Sequence, residues 1–194
     1  MCETLTPELV VHGYRMGVFP MADDDDAIYW YSPDPRCILE LDRFHTPRSL
    51  RRVIRRVTFE IRVNTAFEAV IQACADREEG TWISDDIKRV YTELHGAGFA
   101  HSVEAWKDGE LVGGLYGVSI EGAFFGESMF HRATDASKVA LAALIRRLNE
   151  RKFMLLDIQW STPHLERFGA VEIPRTEYLA RLERALEQHR RFAD

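Results

Sequence analysis

Apolar residues recur at helical spacing near the start of the chain, where Leu5, Leu9, Val10 and Tyr14 share one face over residues 4–16. Thr6-Pro7-Glu8 supplies a cap, a first-turn proline and an acid, and Gly17 closes the helix. The same period predicts helices opened by His45-Thr46-Pro47 with Leu50, Val53, Ile54 and Val57 as the stripe, and over 66–74 with Phe67, Val70 and Ile71. Another follows from Asp85, carrying Ile87, Val90, Tyr91 and Leu94 and ending at Gly96 or Gly98. Thr134 caps the next, Asp135 favours its positive end, and Val139, Leu141, Leu144, Ile145 and Leu148 make a broad apolar face. A short helix over 164–168 stops at Gly169, and an amphipathic helix runs over 177–190.

Between these helices the pattern turns to alternating or continuous apolar runs, predicting strands at 28–31, 37–41, 59–63, 101–106, 111–120, 123–130 and 153–160, with a stub at 171–173. Asp108-Gly109 is a hairpin signal and Glu121-Gly122 a second turn, so 101–130 forms consecutive antiparallel strands. A strand, helix and strand over 123–160 imply a right-handed crossover with parallel pairing. The sheet is therefore mixed and the class α/β or α+β. The run Asp23 to Asp26 repels itself and reads as a solvated loop. Ser32-Pro33-Asp34-Pro35-Arg36 reads as an extended turn, dividing a small N-terminal domain, 1–34, from a main domain, 35–194.

With 194 residues, 46% of them apolar, the chain can bury a sizeable core. A net charge of -6 argues against sequence-independent coating of nucleic acid, which depends on summed positive charge. Against that acidic background, Arg48, Arg51, Arg52, Arg55 and Arg56 crowd one helix without a neighbouring acid. They form either a solvated face meeting acids elsewhere or a phosphate-contacting patch. Cys2, Cys37 and Cys74 suggest core thiols rather than a disulfide framework or a zinc site, and the histidines include no closely spaced metal pair. No apolar stretch is long enough to cross a bilayer and no leader is visible, so a soluble cytoplasmic protein is expected.

Candidate chemistry centres on a charge in the wrong place. Glu127 interrupts the strand-like run Phe125-Gly126-Glu127-Ser128-Met129-Phe130, where an unpaired carboxylate is costly to bury. A two-residue turn at Glu121-Gly122 would set Tyr116 opposite Glu127, and a structural bond from that hydroxyl competes with any functional role. Gly113, Gly114 and Gly117 let a backbone or ligand approach closely. Alternation places Leu155, Asp157 and Gln159 on one face, so that the carboxylate could orient the amide toward a shared ligand. Phosphate loops and hydrolase elbows are absent from the sequence.

Several longer strings carry a resemblance. Trp30-Tyr31-Ser32-Pro33-Asp34-Pro35-Arg36, Asp76-Arg77-Glu78-Glu79-Gly80-Thr81-Trp82-Ile83, Ala100-His101-Ser102-Val103-Glu104, Gly126-Glu127-Ser128-Met129-Phe130 with Ala136-Ser137-Lys138, and Gly169-Ala170 through Ile173-Pro174-Arg175 resemble the leucyl/phenylalanyl-tRNA-protein transferase family. The match runs in order through nearly the whole chain. It implies an acetyltransferase-like (GNAT) mixed sheet with flanking helices behind the small N-terminal domain. It also implies transfer of Leu or Phe, with Met a further candidate, from Leu-tRNA or Phe-tRNA to proteins with N-terminal Arg or Lys. Such tagging creates an N-degron for proteolysis, and a monomer without metal or cofactor is expected.

By the family's pattern Asp157 orients Gln159, Gln159 draws on the acceptor's α-amino group, and Glu127 holds an amine, either the acceptor's or that of the esterified amino acid. The strands carrying Glu127 and Asp157 would splay after the crossover helix, facing one cleft. Leu115, Phe124, Met129, Leu141, Leu144 and Leu156 would surround the Leu or Phe side chain, with Trp82 near the terminal adenosine. Met21 stands where the family often has Trp, and Leu144 where Phe is familiar, which would widen the pocket. Simple hairpin register sends Phe124 and Glu127 to opposite faces, so a bulge near Gly126 or Gly117 is expected if both line the site. A CoA-dependent N-acyltransferase is the rival within this fold. It would need pyrophosphate-binding glycines, which the segment from Phe130 to Lys138 lacks. A non-catalytic binder of degrons or tRNA, the rival from another class, would tolerate loss of Asp157 and Gln159.

Overall fold

The computed structural model describes residues 5–23, 25–78 and 80–193, so Cys2 and Asp24 lie outside it. Helix α1 (Pro7–Arg15) begins at Thr6, whose hydroxyl accepts from the Leu9 amide at 3.3 Å. Strands β1 (Phe19–Ala22) and β2 (Ile28–Tyr31) then pair as a two-stranded antiparallel hairpin around the aspartate loop. The hydrophobic pattern does not predict β1, because a strand containing Pro20 lacks one ladder donor and reads as irregular chain.

The main sheet is assembled from β3 (Arg36–Leu39), β4 (Glu60–Val63), β5 (Ala100–Lys107), β6 (Glu110–Ile120), β7 (Ala123–His131), β8 (Leu155–Gln159) and β9 (Ala170–Ile173). Its spatial order is β4-β5-β6-β7-β8-β3-β9, with β7 and β8 parallel and the other pairs antiparallel. Helices α2 (Arg48–Arg55), α3 (Phe67–Ala75), α4 (Asp85–Gly96), α5 (Ala136–Glu150), α6 (Pro163–Glu166) and α7 (Arg175–Leu186) complete the chain. Two apolar cores result. One gathers Val10, Tyr14, Val70, Ile87, Tyr91, Phe125, Tyr178 and Leu182 from α1, α3, α4, α7 and β7; the other joins Leu50, Leu141, Leu144, Leu148 and Phe124 from α2, α5 and β7. Helices on both sides of a mixed sheet give the α/β class.

Parallel pairing of β7 with β8 lasts for Ala123↔Leu155, Phe124↔Leu156 and Phe125↔Asp157 and goes no further. Beyond it the strands part. An antiparallel run β5-β6-β7, a crossover helix and a parallel strand that diverges is the acetyltransferase-like arrangement. The divergence opens a gap in the sheet at residues 126–131 and 158–159.

Three local expectations are corrected. Thr134 does not cap α5; Asp135 is the N-cap residue, at φ 69° and with no side-chain cap bond, a backbone state that Asp tolerates better than most residues. Neither does Thr46 cap α2, which starts from Pro47 without a side-chain cap bond. Val57 leaves the apolar stripe because the chain exits α2 there at φ 50°, turning the side chain to solvent at 78% exposure.

Candidate active site

Glu127 is the extra residue of a β-bulge. Tyr116 pairs with Ser128 and Gly117 with Gly126, so no residue of β6 stands opposite Glu127. Gly117 is required at this point: a Cβ there would lie 2.2 Å from the Phe125 carbonyl oxygen and 2.5 Å from the Phe124 ring. The bulge turns a carboxylate, otherwise destined for the sheet's register, into the gap where β7 leaves β8.

That register removes the Tyr116 explanation. The Tyr116 hydroxyl is buried and has no hydrogen-bond partner among the described residues. The tyrosine that reaches Glu127 comes from α1: hydrogen bonding from Tyr14 favours the ionised carboxylate, and the Tyr14 hydroxyl lies 2.5 Å from that of Tyr91 on α4. Gln159 Nε2 donates to Glu127 Oε1 at 3.3 Å. Desolvation outweighs these contacts, and with the neighbouring Asp157 charge it pushes the Glu127 carboxyl up to about 8. Glu127 is half-buried, so its carboxyl is shielded by the protein and still open to a ligand in the gap.

Asp157 has a different situation. It is fully buried, and each carboxylate oxygen accepts two bonds. Oδ1 accepts from Arg36 Nε and the Gln159 backbone N–H, both at 2.9 Å, while Oδ2 accepts from Arg36 Nη2 at 2.6 Å and the Tyr178 hydroxyl at 2.8 Å. Arg36 itself is 1% exposed, donates to the Gly17 carbonyl at 3.2 Å, and lies over the rings of Phe19 and Tyr178. The bidentate pair and its two further donors leave neither oxygen of this buried carboxylate without a partner.

Asp157 and Gln159 are joined, and the link runs through the backbone. Leu156, Ile158 and Gln159 line the gap, whereas Asp157 does not. Gln159 ends β8 at φ 59°, out of extended geometry, and its amide meets Glu127. Asp157 reaches Gln159 through the backbone N–H rather than the side-chain amide. With Nε2 committed to Glu127, the amide oxygen of Gln159 is the acceptor it has left to offer.

The gap widens into a cavity of about 970 Å³. Its walls bring together Met21, Trp82, Leu115, Glu127, Met129, Leu141, Leu144, Leu156 and Gln159, all named from the sequence. Phe124 is absent from that lining, a correction to its expected place in the pocket: it is fully buried, its ring 4.9 Å from the ring of Phe192, so the C-terminal segment covers it. The five arginines of α2 are also outside the cavity. All are exposed, make no ion pair among the described residues, and surround a depression of about 470 Å³ on the helix that packs against α5. A face paired with acids elsewhere is not what they form.

Sequence reasoning missed Arg36, Tyr14, Tyr91 and Tyr178. Arg36 had a usable signal, since a charged residue leading into the apolar run Cys37-Ile38-Leu39 is as anomalous as Glu127. The tyrosines had none, being ordinary members of helical stripes. Among the described residues no group of His, Cys, Asp and Glu is placed to hold a metal ion, and no helix is long and apolar enough to cross a membrane.

A diverging parallel pair, an apolar pocket between it and the crossover helix, and a carboxyl beside an amide form a site that can hold an apolar side chain next to an amine. The comparison with family models makes this specific. The model described as leucyl/phenylalanyl-tRNA protein transferase matches residues 38–183, and that of the family's N-terminal domain matches 3–34. The chain belongs to this family. Proteins named leucyl/phenylalanyl-tRNA–protein transferase are 58% identical in Herpetosiphon aurantiacus, over 96% of this chain and 97% of that one, and 56% identical in Salinibacter ruber, over 96% and 83%. A similar protein in Gloeobacter violaceus, of the same name, is 58% identical over 96% of each chain. Solved structures are more distant: a ribosomal-protein-alanine N-acetyltransferase from Brucella melitensis is 15% identical at a TM-score of 0.40, covering 56% of this chain and 84% of its own.

Proposed function

We propose that this chain is an aminoacyltransferase that moves Leu or Phe, and Met less selectively, from aminoacyl-tRNA to the α-amino group of proteins beginning with Arg or Lys. The product is an N-degron. Family membership supports the donor and the acceptor class, and the observation that carries the reading is the placement of Glu127 and Gln159 side by side at the lip of an apolar cavity.

The donor's Leu or Phe side chain fills the space between Leu115, Met129, Leu141, Leu144 and Leu156. Unbranched and γ-branched side chains fit there, a charged one is refused, and Leu is separated from Met by only a modest factor. Leu144 leaves room for the larger ring. Trp82 and Met21, which line the same cavity, form the platform for the adenine, with Met21 offering a flexible thioether contact in place of a second indole. Glu127 pairs with the α-ammonium of the esterified amino acid, a cation that neutralises the carboxylate which burial disfavours. The oxygen of Gln159 accepts a hydrogen bond from the acceptor's amine, aligning its lone pair on the ester carbonyl.

Attack forms the C–N bond, the ester C–O bond breaks, the amine loses a proton and the departing ribose hydroxyl gains one. An aminoacyl ester is already activated, so alignment supplies much of the rate and no covalent enzyme intermediate is required. Asp157, with every acceptor position filled, acts as the strut of Gln159. The arginines of α2 contact the tRNA backbone. A small N-terminal domain, 1–34, contributes Met21 and Tyr14, while 35–194 carries the rest; the enzyme works as a monomer in the cytoplasm, where charged tRNA is found.

The test incubates pure protein with labelled Leu-tRNA and peptides beginning with Arg, Lys or Ala. Label should enter the first two. Equal labelling of all three, or no labelling while acetyl-CoA reacts, would remove this assignment.

A further inference from the structure

The cavity has a second polar wall that the transfer reaction, as described, does not use. Where β7 ends and α5 begins, His131, Arg132, Ser137 and Lys138 border the cavity, with His164 on α6 facing them. Ser137 is 6% exposed, lines the cavity, and its hydroxyl has no hydrogen bond to any described residue. Lys138 is held by Asp135 Oδ1 at 2.7 Å, which uses one of its three N–H donors and leaves two. Burial lowers the His164 pKa and the positive charges of Lys138, Arg167 and His131 lower it further, so these groups lie within electrostatic reach of His164. Asp135 makes no side-chain cap bond to this fifteen-residue helix; the Ala136 amide donates to the Ala133 carbonyl at 3.1 Å, and the helix dipole adds positive potential at this end.

A hydroxyl that opens onto the cavity without a protein partner, an ammonium with spare donors and the positive end of a helix together suit a singly charged oxyanion. The site already described dictates which one. A donor esterified at its terminal ribose, with the ester at Glu127 and Gln159, must carry its 5′ phosphate one ribose away, at the rim of the same cavity. The arginine-bearing helix α2 packs against α5.

We propose that the first turn of α5, through Ser137 and Lys138 with His131 and His164 beside them, binds the phosphodiester joining the donor tRNA's terminal adenosine to the nucleotide before it. This inference rests on the transferase reading. It assigns the donor's register: the hydroxyl and ammonium fix the ribose so that its ester meets Gln159, independently of the distant contacts on α2.

The experiment compares two small donors, leucyl-adenosine, which has no phosphate, and the leucyl ester of the dinucleotide CpA, which has this one. Neither reaches α2. Wild-type protein should prefer the dinucleotide donor in kcat/KM by about tenfold, the size of one charge-assisted hydrogen bond. In Ser137→Ala and in Lys138→Gln that ratio should fall toward one, and Lys138→Arg should restore it. Thermal unfolding of each variant checks that the ratio is read on folded protein. A wild type that uses both donors equally, or variants that keep the full preference, would overturn the inference alone. A wild type that transfers from neither donor, nor from Leu-tRNA, would sink the transferase reading and this inference with it.

Discussion

Removing the partner of Asp157 is the perturbation whose size follows most directly from the geometry. In Arg36→Met an apolar thioether replaces the guanidinium that lies over the rings of Phe19 and Tyr178, and two hydrogen bonds of 2.9 and 2.6 Å to the carboxylate are lost. Asp157 is fully buried, and the Tyr178 hydroxyl and Gln159 N–H that remain cannot balance a whole charge. Breaking one side of such a pair costs about 3–5 kcal/mol. For a domain of this size that corresponds to roughly 10 °C in melting temperature. Urea unfolding followed by tryptophan fluorescence measures it. The companion Arg36→Met/Asp157→Leu removes both charges and should recover most of the loss, because well-packed apolar replacements of buried pairs are often neutral. The double variant should nonetheless stay inactive, since the Gln159 N–H has lost its acceptor and nothing holds that residue at φ 59°. An Arg36→Met protein within about 1 kcal/mol of wild type, or a double variant with restored transfer, would refute the division between a structural charge pair and a positioned amide.

Other predictions test the neighbouring groups. The Glu127 carboxyl is raised in the folded state, so its contribution to stability is complete below about pH 4.5 and disappears as pH rises through about 8. Glu127→Gln should therefore flatten that stretch of the stability curve by roughly 2–4 kcal/mol, measured by urea titrations at pH 5.5 and 8.5. His101 is depressed to about 4 by burial, so its contribution is present above about pH 6.5 and is lost as pH falls toward 4; His101→Gln should lose that acid dependence. Leu144→Phe should shrink the pocket and lower the ratio of Phe to Leu transfer by about tenfold, read by competition between the two charged tRNAs. Charge reversal at Arg51, Arg52 and Arg55 should weaken tRNA use and reduce the slope of log affinity against log salt by about two to three; an unchanged slope would take α2 out of the tRNA path.

The features legible in the sequence were those with a local cause. Helical stripes, the Asp108-Gly109 hairpin and the crossover over 123–160 follow from periodicity and turn chemistry within a few residues. Glu127 was conspicuous because charge in an apolar run is conspicuous anywhere. Its bulge follows only from the requirement that Phe124 and Glu127 share a face. The bulge exists, and even so Phe124 stays inside, because Phe192, from the far end of the chain, decides what covers it. The Asp157 network was illegible for the same reason: Arg36 lies 121 residues away in sequence, and no local pattern announces such a partner. Gln159 illustrates a third limit, since no local pattern announces that it takes a left-handed backbone conformation or that Asp157 meets its backbone N–H.

The carboxyl of Glu127 can be watched directly. Protein carrying ¹³C at its Glu carboxyls, with the resonance assigned by comparison with Glu127→Gln, can be titrated alone and with a non-hydrolysable aminoacyl-adenosine amide. The free protein should titrate near 8, and the amide's ammonium should lower that value markedly. A carboxyl that titrates near 4.5 in the free protein and does not respond to the amine would contradict the role of Glu127 as the receiver of the donor's ammonium.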